Sequence, residues 1–486
     1  MAKRKWYKKK RTWIIAGIFI TIYIATLIYQ QFKPLPEGIS YEGQVRSLHD
    51  EDIEFLYDLT YQKNGQEHYD QEIFDEVYNM IENAEDFLVV DMFMMNESAS
   101  SKRDFPKISQ KISEKIIQQK NEHPNLKVVF ITDLINKTYN SHQAEHIKPL
   151  EEAGVEVVYT KLDRLRDPNP LYSSFYRMGI QWFGQKGNGW IMNPFGKELP
   201  EVTARSYFKL FNIKANHRKV FVSEDQGLVL SANAHDASGF HSNIGFKVKG
   251  NLLKDLIESE KAVADYSGGD LSTFPSKEQI EQIKPTKSTG DIKAKVITEQ
   301  KIEVAALEAI ESAKENDQVW LGMYYLADRD IVDAIKAASN RGVTLNLILD
   351  PNQNAFGHEK TGLPNLPIAQ ELLNHDDKIN LKWYNVNKEQ YHTKILFVKK
   401  ANESFIVGGS ANLTSRNIDD YNLESDLSIT APNDSELVHN VEDYFKRIWE
   451  NKDAQYTVSY EEYAGTYTTA KRALYYIQKI TLFTTY

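Results

Sequence analysis

The feature that most constrains the fold of this chain is a polar pattern that occurs twice, once in each half. Each copy has a histidine, a lysine two residues later, and then a serine and an asparagine that are also separated by one residue. The members are His217, Lys219, Ser231 and Asn233 in the first copy, and His392, Lys394, Ser410 and Asn412 in the second. Another asparagine follows ten residues after each copy, at Asn243 and Asn422. This duplication predicts two similar structural units that share one composite site.

The spacing within each copy predicts that its side chains lie together. In a strand, residues i and i+2 point to the same face, so a histidine and its lysine project side by side. The serine and asparagine follow the apolar runs 228–230 and 405–407, and the same rule places them on one face. We therefore expect two imidazoles, two ammonium groups and two carboxamides to converge at one edge of the fold.

Such a set of groups can cleave a phosphodiester. One neutral imidazole can attack phosphorus while the other, protonated, supplies a proton to the leaving alkoxide, and lysine and asparagine donors stabilise the non-bridging oxygens. We expect no cofactor and no metal, because the two ammonium groups supply the positive charge. A single His-x-Lys pair is more often a surface feature of a strand. The duplication favours the functional interpretation.

Apolar runs and helical periodicity give both halves the same order of elements. The first half has apolar runs at 87–95 and 126–133, with a helical stretch between them. The second half has runs at 319–326 and 343–350, on either side of a helical stretch at 330–338. Continuous apolar strands separated by helices predict sheets that are covered on both faces and are at least partly parallel. The expected fold class is therefore α/β.

The chain is expected to divide into seven segments. They are a cytoplasmic basic segment (1–11), a transmembrane anchor (12–32), a stalk (33–58), a first α/β half (59–266), a linker rich in glycine and proline (267–291), a second α/β half (292–452) and a tail of unassigned role (453–486). The tail includes a stretch at 470–480 that has helical character.

The amino terminus has the pattern of a membrane anchor. Seven lysines and arginines lie within residues 1–11, and no charged residue follows from 12 to 32. An apolar helix of this length spans a bilayer, and the preceding cations favour a cytoplasmic amino terminus with the catalytic body outside. A cleaved signal peptide is the alternative. The long apolar run and the lack of a small-x-small cleavage site favour an uncleaved anchor. The absence of cysteine suits an oxidising exterior.

The duplicated pattern resembles the signature of the phospholipase D superfamily, which is His-x-Lys-x4-Asp followed by Gly-Ser-x-Asn, present twice. The resemblance covers about residues 60–452, and the sequence at 216–219 is similar to that of bacterial cardiolipin synthases. It implies two pseudo-symmetric α/β halves, one active site between them and a phosphohistidine intermediate. By the same resemblance, His217 is expected to be the nucleophile and His392 the acid.

The chain departs from the family signature at several positions. The position of the signature aspartate holds Glu224 in the first copy and Lys399 in the second, and the resemblance implies that this acid mainly supports a strand end. The segment Asn422-x-Glu424 matches the family's Asn-x-Glu, which implies that Glu424 orients a catalytic histidine. The corresponding place in the first copy is Asn243-x-Gly245, so no orienting acid is identified for His217.

The resemblance implies a membrane-anchored enzyme that transfers or hydrolyses phospholipid headgroups, with phosphatidylglycerol as the natural lipid partner. Bacterial cardiolipin synthases usually carry two amino-terminal spans, whereas this chain has one, and the sequence does not distinguish water from an alcohol as acceptor. An insertion at 161–204 contains many aromatic residues among glycines: Tyr172, Phe175, Tyr176, Trp182, Phe183, Trp190, Phe195, Gly184, Gly187, Gly189 and Gly196. It is expected either to contact lipid or to form extra core.

Two other functions are compatible with the sequence. An exported hydrolase of nucleic acid or of a glycerophosphate polymer would use the same residues. The net charge of −10, despite the basic amino terminus, disfavours nucleic acid as a partner. A membrane scaffold that has lost activity is the second alternative, and the retention of both histidines, both lysines and both asparagines disfavours it.

Overall fold

A computed structural model of the chain describes residues 2–97, 104–183, 189–193, 200–285, 289–355, 358–484 and 486. The strands, in chain order, are β1 Arg46–Leu48, β2 Ile53–Lys63, β3 Gln66–Asp70, β4 Phe87–Met92, β5 Lys127–Thr132, β6 Glu156–Tyr159, β7 Lys219–Ser223, β8 Gly227–Leu230, β9 Asn243–Val248, β10 Ile292–Thr298, β11 Gln318–Met323, β12 Thr344–Leu349, β13 Asn354–Ala355, β14 His358–Glu359, β15 Asn380–Tyr384, β16 Lys394–Lys399, β17 Glu403–Gly409, β18 Ser425–Pro432 and β19 Thr457–Ser459.

Helices cover the sheets and connect their strands. They are α1 Ala2–Phe32, α2 Ile73–Asn83, α3 Ile108–Glu122, α4 Lys148–Glu152, α5 Pro170–Met178, α6 Ala204–Leu210, α7 Leu252–Ser267, α8 Lys277–Gln282, α9 Gln300–Ser312, α10 Arg329–Asn340, α11 Asn365–His375, α12 Ser415–Ile418, α13 Glu436–Glu450, α14 Glu461–Ala464 and α15 Thr469–Thr481. The apolar stripe of α10 shows why these segments are helical, because Ile331, Ile335 and Ala338 recur at helical spacing and are buried.

Each half is built around one mixed sheet. The order in the first half is β3-β2-β9-β8-β7-β4-β5-β6, and in the second it is β1-β10-β18-β17-β16-β11-β12-β15-β19. The run β4-β5-β6 is parallel, as is β11-β12-β15, and the other neighbouring pairs are antiparallel. Strands β4, β5, β11 and β12 of these parallel runs correspond to the four apolar runs of the sequence. The predicted α/β fold with two similar halves is confirmed.

The two halves meet through an apolar cluster that contains side chains from both sheets. Phe55 of the first half packs against Phe246 of the same half and against Tyr444 of helix α13 in the second half, with 5.4 Å between the ring centroids of Phe55 and Tyr444. A Cβ atom at Gly408 would lie 3.1 Å from the Phe246 ring, so this glycine allows β17 to approach β9 closely. Burial of each such aromatic side chain contributes roughly 1.5–3 kcal/mol, which fixes the halves against each other.

Two of the expected segments have more structure than the sequence indicated. Within the expected stalk (33–58), β1 pairs with β10 of the second half and the start of β2 pairs with β9 of the first. This segment is folded rather than a free connector, because it forms sheet hydrogen bonds and Arg46 binds Asp255 at 2.7 Å. In the tail, β19 extends the second sheet beside β15, and α15 includes the predicted helical stretch.

The insertion at 161–204 is partly described. Of its aromatic residues, Tyr176 is buried, whereas Phe175, Trp182, Phe183 and Trp190 are exposed. Residues 184–188 and 194–199, which include Phe195, Gly184, Gly187 and Gly196, lie outside the described residues. The extra-core interpretation therefore fits Tyr176 but not the exposed aromatic residues.

Candidate active site

The backbone of each half positions the histidine of its own motif against the other half. Both strands begin at the lysine, so His217 and His392 lie just before β7 and β16. The amide of His217 donates to the carbonyl of Leu423 at 2.8 Å, and the amide of Ser242 donates to the carbonyl of Gln390 at 3.0 Å. These reciprocal links between halves bring the two imidazoles together, with 6.4 Å between their ring centroids.

A carboxylate of the second half holds the histidine of the first. Nδ1 of His217 lies 2.9 Å from Oε2 of Glu424, which also accepts a hydrogen bond of 2.5 Å from the Ser410 hydroxyl. The Asn417 side chain donates to the other oxygen of Glu424. Burial raises the pKa of Glu424 to about 8, whereas the Lys219 ammonium and these hydrogen bonds favour the charged form. Because Nδ1 binds Glu424, Nε2 is the ring nitrogen on the side away from that carboxylate.

An amide replaces the carboxylate behind the other histidine. Nδ1 of His392 lies 3.3 Å from Oδ1 of Asn243. The Ser231 hydroxyl donates to the same Oδ1 at 3.4 Å and accepts from the amide of Ile244 at 2.9 Å. In the second half, Ser410 makes the equivalent bonds with Glu424 and with the amide of Ser425. The structural counterpart of Glu424 is therefore Asn243.

The pairing of Asn243 with Glu424 shows that an alignment of the two copies by their shared ten-residue spacing is wrong. The shared spacing of ten residues paired Asn243 with Asn422 and left no acid for His217. In the structure the side-chain Oδ1 of Asn422 accepts from the amide of Ala215 at 3.0 Å, and Nδ1 of His241 accepts from the amide of Gln390 at 3.1 Å. Asn422 thus corresponds to His241. The orienting group of each histidine comes from the opposite half.

The lysines and asparagines complete the cluster. Nζ of Lys219 donates to the carbonyl of His217 at 2.5 Å, and Nζ of Lys394 donates to that of His392 at 2.6 Å. Asn233 and Asn412 are buried, and among the described residues neither Oδ1 has a hydrogen-bond partner. The Nδ2 group of each carboxamide, and not this oxygen, is the donor from which a bound anion can accept. Ser231 and Ser410 bind the orienting groups instead, so they are positioning residues.

Burial disfavours the charged forms of the lysines and histidines of the cluster. Burial lowers the pKa of Lys219 to about 7, and burial together with Lys219 lowers the pKa of Lys394. Burial and the two lysines also lower the pKa values of His217 and His392. An anionic phosphodiester would oppose these shifts, because a negative charge beside the lysines and histidines favours their protonated forms. We therefore expect substrate binding to be accompanied by proton uptake.

One predicted site residue is not brought to the cluster. Glu224 follows the last residue of β7 and accepts hydrogen bonds from the amides of Glu85 and Phe87 at 2.6 and 3.3 Å, beside the start of β4. Lys219 instead pairs with Met92 at the other end of β4. Glu224 supports the strand ends and is not catalytic, because a five-residue strand separates it from the histidines. At the matching position Lys399 binds Glu442 at 2.8 Å.

Several residues of the site were not identified from the sequence. The rings of Phe93 and Tyr324 occupy equivalent positions after β4 and β11, at 5.0 and 5.1 Å from the rings of His217 and His392. The fully buried Arg218 binds Glu299 at 2.8 Å, and Glu299 also accepts from the amide of Glu424 at 3.1 Å. Phe93 and Tyr324 occupy matching positions in the two apolar runs, and this match could have identified them from the sequence. No sequence signal indicated that Arg218 pairs with Glu299.

Comparisons with known proteins agree with this architecture. Residues 306–449 match the family model described as "Cardiolipin synthase, PLD-like domain". No curated protein matches the sequence. A similar solved structure is a phosphatidylserine synthase from Haemophilus influenzae Rd KW20, with 12% identity, a TM-score of 0.59 and coverage of 91% of this chain and 96% of that chain. Two others are more distant. A polyphosphate kinase from Porphyromonas gingivalis has 11% identity and a TM-score of 0.42, and the match covers 86% of this chain and 52% of that chain. A phospholipase D family member, Nuc from Salmonella typhimurium, has 20% identity and a TM-score of 0.27, and the match covers 34% of this chain and 98% of that chain.

Proposed function

We propose that this chain, a cardiolipin synthase-like member of the phospholipase D superfamily, transfers or hydrolyses phospholipid headgroups through a phosphohistidine intermediate. The observation that carries the proposal is the composite histidine pair. His217 and His392 come from different halves, their ring centroids are 6.4 Å apart, and Glu424 and Asn243 lie behind them. Lysine and asparagine donors surround this pair, as a phosphodiester requires.

The first step forms the phosphoenzyme. Nε2 of His217 attacks phosphorus, the bond from phosphorus to the headgroup oxygen breaks, and the protonated His392 gives its proton to that oxygen. The phosphorylated imidazole carries a positive charge, which the carboxylate of Glu424 stabilises. Asn243 is neutral and therefore does not hold the proton on His392. The different partners of the two histidines favour His217 as nucleophile and His392 as acid.

The second step releases the phosphatidyl group. His392, now neutral, removes a proton from the acceptor hydroxyl, whose oxygen attacks phosphorus as the bond from phosphorus to His217 breaks. Both histidines regain their starting states. Lys219, Lys394, Asn233 and Asn412 stabilise the non-bridging oxygens in both steps. The acceptor is the hydroxyl of a second phosphatidylglycerol in transfer, or water in hydrolysis.

The amino-terminal helix anchors this activity in the membrane. Residues Lys9–Phe32 form one helix that is long and apolar enough to cross a bilayer, and its apolar part is not buried by the rest of the chain. The cations of residues 1–11 favour a cytoplasmic amino terminus. The catalytic body then lies outside the cytoplasm, beside the outer leaflet.

The neutral partner of His392 gives a pH prediction. In the variant Asn243→Asp we expect the new carboxylate to raise the pKa of His392 by about one unit, which corresponds to about 1.4 kcal/mol. Because the acid must be protonated, activity is lost as pH rises through this pKa, so the alkaline limb of the kcat profile should move to higher pH. An unchanged limb, or a shift to lower pH, would contradict the role of His392.

The proposed activity is tested by lipid mass spectrometry after the purified full chain is incubated with phosphatidylglycerol vesicles. We expect cardiolipin and glycerol from the intact protein and neither from the double variant His217→Ala/His392→Ala. Phosphatidic acid without cardiolipin would identify a hydrolase. If the intact protein turns over no lipid, the proposal fails, and single-stranded DNA and glycerophosphate polymers become the substrates to test.

A further inference from the structure

Helix α5 of the insertion exposes apolar side chains and buries polar ones, which is the opposite of a helix on the surface of a water-soluble protein. Leu171 and Phe175, which are one turn apart, are 53% and 56% exposed. Ser173, Ser174 and Arg177 are buried, and Arg177 binds the buried Asp167 at 2.9 Å. Water-soluble helices place such apolar residues inside. An apolar face that points outward is typical of contact with lipid or with a protein partner.

The contact between α5 and the membrane helix α1 distinguishes between these two partners. The Tyr23 hydroxyl donates to the carbonyl of Leu171 at 2.5 Å, and the amide of Asp167 donates to the carbonyl of Gln30 at 3.0 Å. Tyr23 lies nine residues before Phe32, which is about 13 Å along a helix that rises 1.5 Å per residue. The hydrocarbon core is about 30 Å thick. If α1 spans the bilayer, the start of α5 therefore lies inside the leaflet.

The carboxy-terminal tail is attached to the same region. The Phe483 ring lies 5.9 Å from the Tyr172 ring of α5, and the Arg416 side chain binds both the carbonyl of Thr484 and Oδ1 of Asn169. On α15, Ile477 and Ile480 are exposed one turn apart, with Lys479 also exposed beside them. A basic residue beside an apolar helix face suits a membrane interface, where its charged end reaches the headgroups.

The tail also reaches the active site. The Tyr486 ring lies 6.5 Å from the ring of Tyr325, which stacks at 4.2 Å on Tyr324. The Tyr324 ring lies 5.1 Å from that of His392. A continuous series of aromatic rings thus connects the chain terminus to the catalytic histidine of the second half.

We infer that α5 and α15 form an apolar rim, made of Leu171, Phe175, Ile477 and Ile480, that inserts into the acyl-chain region of the bilayer beside α1. The rim places the aromatic series and the catalytic histidines at the membrane surface, where a phospholipid headgroup can enter without leaving its leaflet. The inference rests on the proposed function, which includes α1 as a helix that spans the membrane. Its occupant is the lipid bilayer and not a second protein.

The lack of cysteine in the chain allows a direct test of the rim. Single variants Phe175→Cys and Ile480→Cys of the full chain are labelled with a fluorophore and reconstituted in phosphatidylglycerol vesicles. The matched control is Val304→Cys, an exposed apolar position on α9 outside the rim. We expect lipids with a nitroxide on the acyl chain to quench both rim labels several-fold more than the control label. Equal quenching at all three positions would overturn the inference, as would a disulfide between two copies of the unlabelled variant Ile480→Cys.

An activity measurement separates the rim from the chemistry of the site. The double variant Phe175→Ser/Ile480→Ser should lose most of its turnover of vesicle lipid and keep its hydrolysis of a water-soluble phosphodiester, bis-p-nitrophenyl phosphate. Val304→Ser should retain both activities. Full vesicle turnover by the double variant would contradict the rim. If the unsubstituted chain hydrolyses neither substrate, the proposed function fails, and the quenching measurement still decides where the rim lies.

Discussion

Replacing His217 by asparagine is expected to lower turnover by about 10⁴-fold or more, because the variant has no nucleophile with which to form the phosphoenzyme. The change keeps a polar side chain of similar size beside Glu424, whose carboxylate lies 2.9 Å from Nδ1 of the native imidazole. The loss should be the same with lipid and with an activated phosphodiester, since both need attack on phosphorus. Initial rates with both substrates measure it.

The variant His392→Asn should behave differently with an activated substrate. The p-nitrophenolate leaving group departs without a proton, so His217 can still form the phosphoenzyme. The second step then stalls, because no base activates the acceptor. We expect a burst of p-nitrophenolate that matches the enzyme concentration, and a phosphorylated His217 in the mass spectrum. The variant His217→Asn should show neither.

The burst experiment also has an outcome that reverses the roles of the two histidines. A burst from His217→Asn, with the phosphoryl group found on His392 by mass spectrometry, would make His392 the nucleophile. That result would contradict the argument from Glu424 and Asn243. Thermal unfolding is the control for both variants. His217 and His392 each lie before a strand whose backbone pairing does not depend on the imidazole, so both variants should retain the fold.

The parts of the fold that the sequence predicted are those with strong local signals. The apolar runs at 87–95 and 319–326 became the central strands β4 and β11, since a strand buried on both faces has few polar residues. The i and i+2 spacing placed each histidine beside its lysine for the same local reason. That the two histidines meet depends on pairing between halves, and the duplication of the motif was the signal that indicated it.

The identity of the orienting groups could not be obtained from spacing. The turn after Asn233 is two residues shorter than the turn after Asn412, so a match of asparagine with asparagine shifts the alignment by two positions. The hydrogen bonds of the two serines fix the true correspondence, because Ser231 binds Asn243 and the next amide, and Ser410 binds Glu424 and the next amide. The reversed polarity of α5 was hidden for another reason. The exposed apolar face of α5 can be interpreted only from its contact with α1. The two segments are about 150 residues apart in the sequence, so no local pattern indicates that contact.

The carboxylate of Glu424 is expected to make the second large contribution to the rate. Glu424→Gln keeps the length of the side chain and removes its charge, so it no longer stabilises the positive charge that forms on phosphorylated His217. We expect turnover to fall by about 10²–10³-fold, as for the loss of one buried charge-stabilising group. Ser410→Ala is the matched control, because it removes one hydrogen bond to Glu424 and leaves the charge. Its loss should be about tenfold, in line with one such bond.

The double variant Glu424→Gln/Asn243→Asp tests whether the position of this charge matters, rather than its presence alone. It keeps one carboxylate in the site but moves that carboxylate from His217 to His392. If His217 carries the phosphoryl group, the new carboxylate at position 243 lies behind the acid, His392. It makes His392 release its proton less readily, and it is too far from the phosphorylated His217 to stabilise the intermediate. We therefore expect the double variant to be no more active than Glu424→Gln. Recovery of the rate would mean that the histidine beside the carboxylate becomes the nucleophile, and the roles would then follow the charge and not the half of the chain.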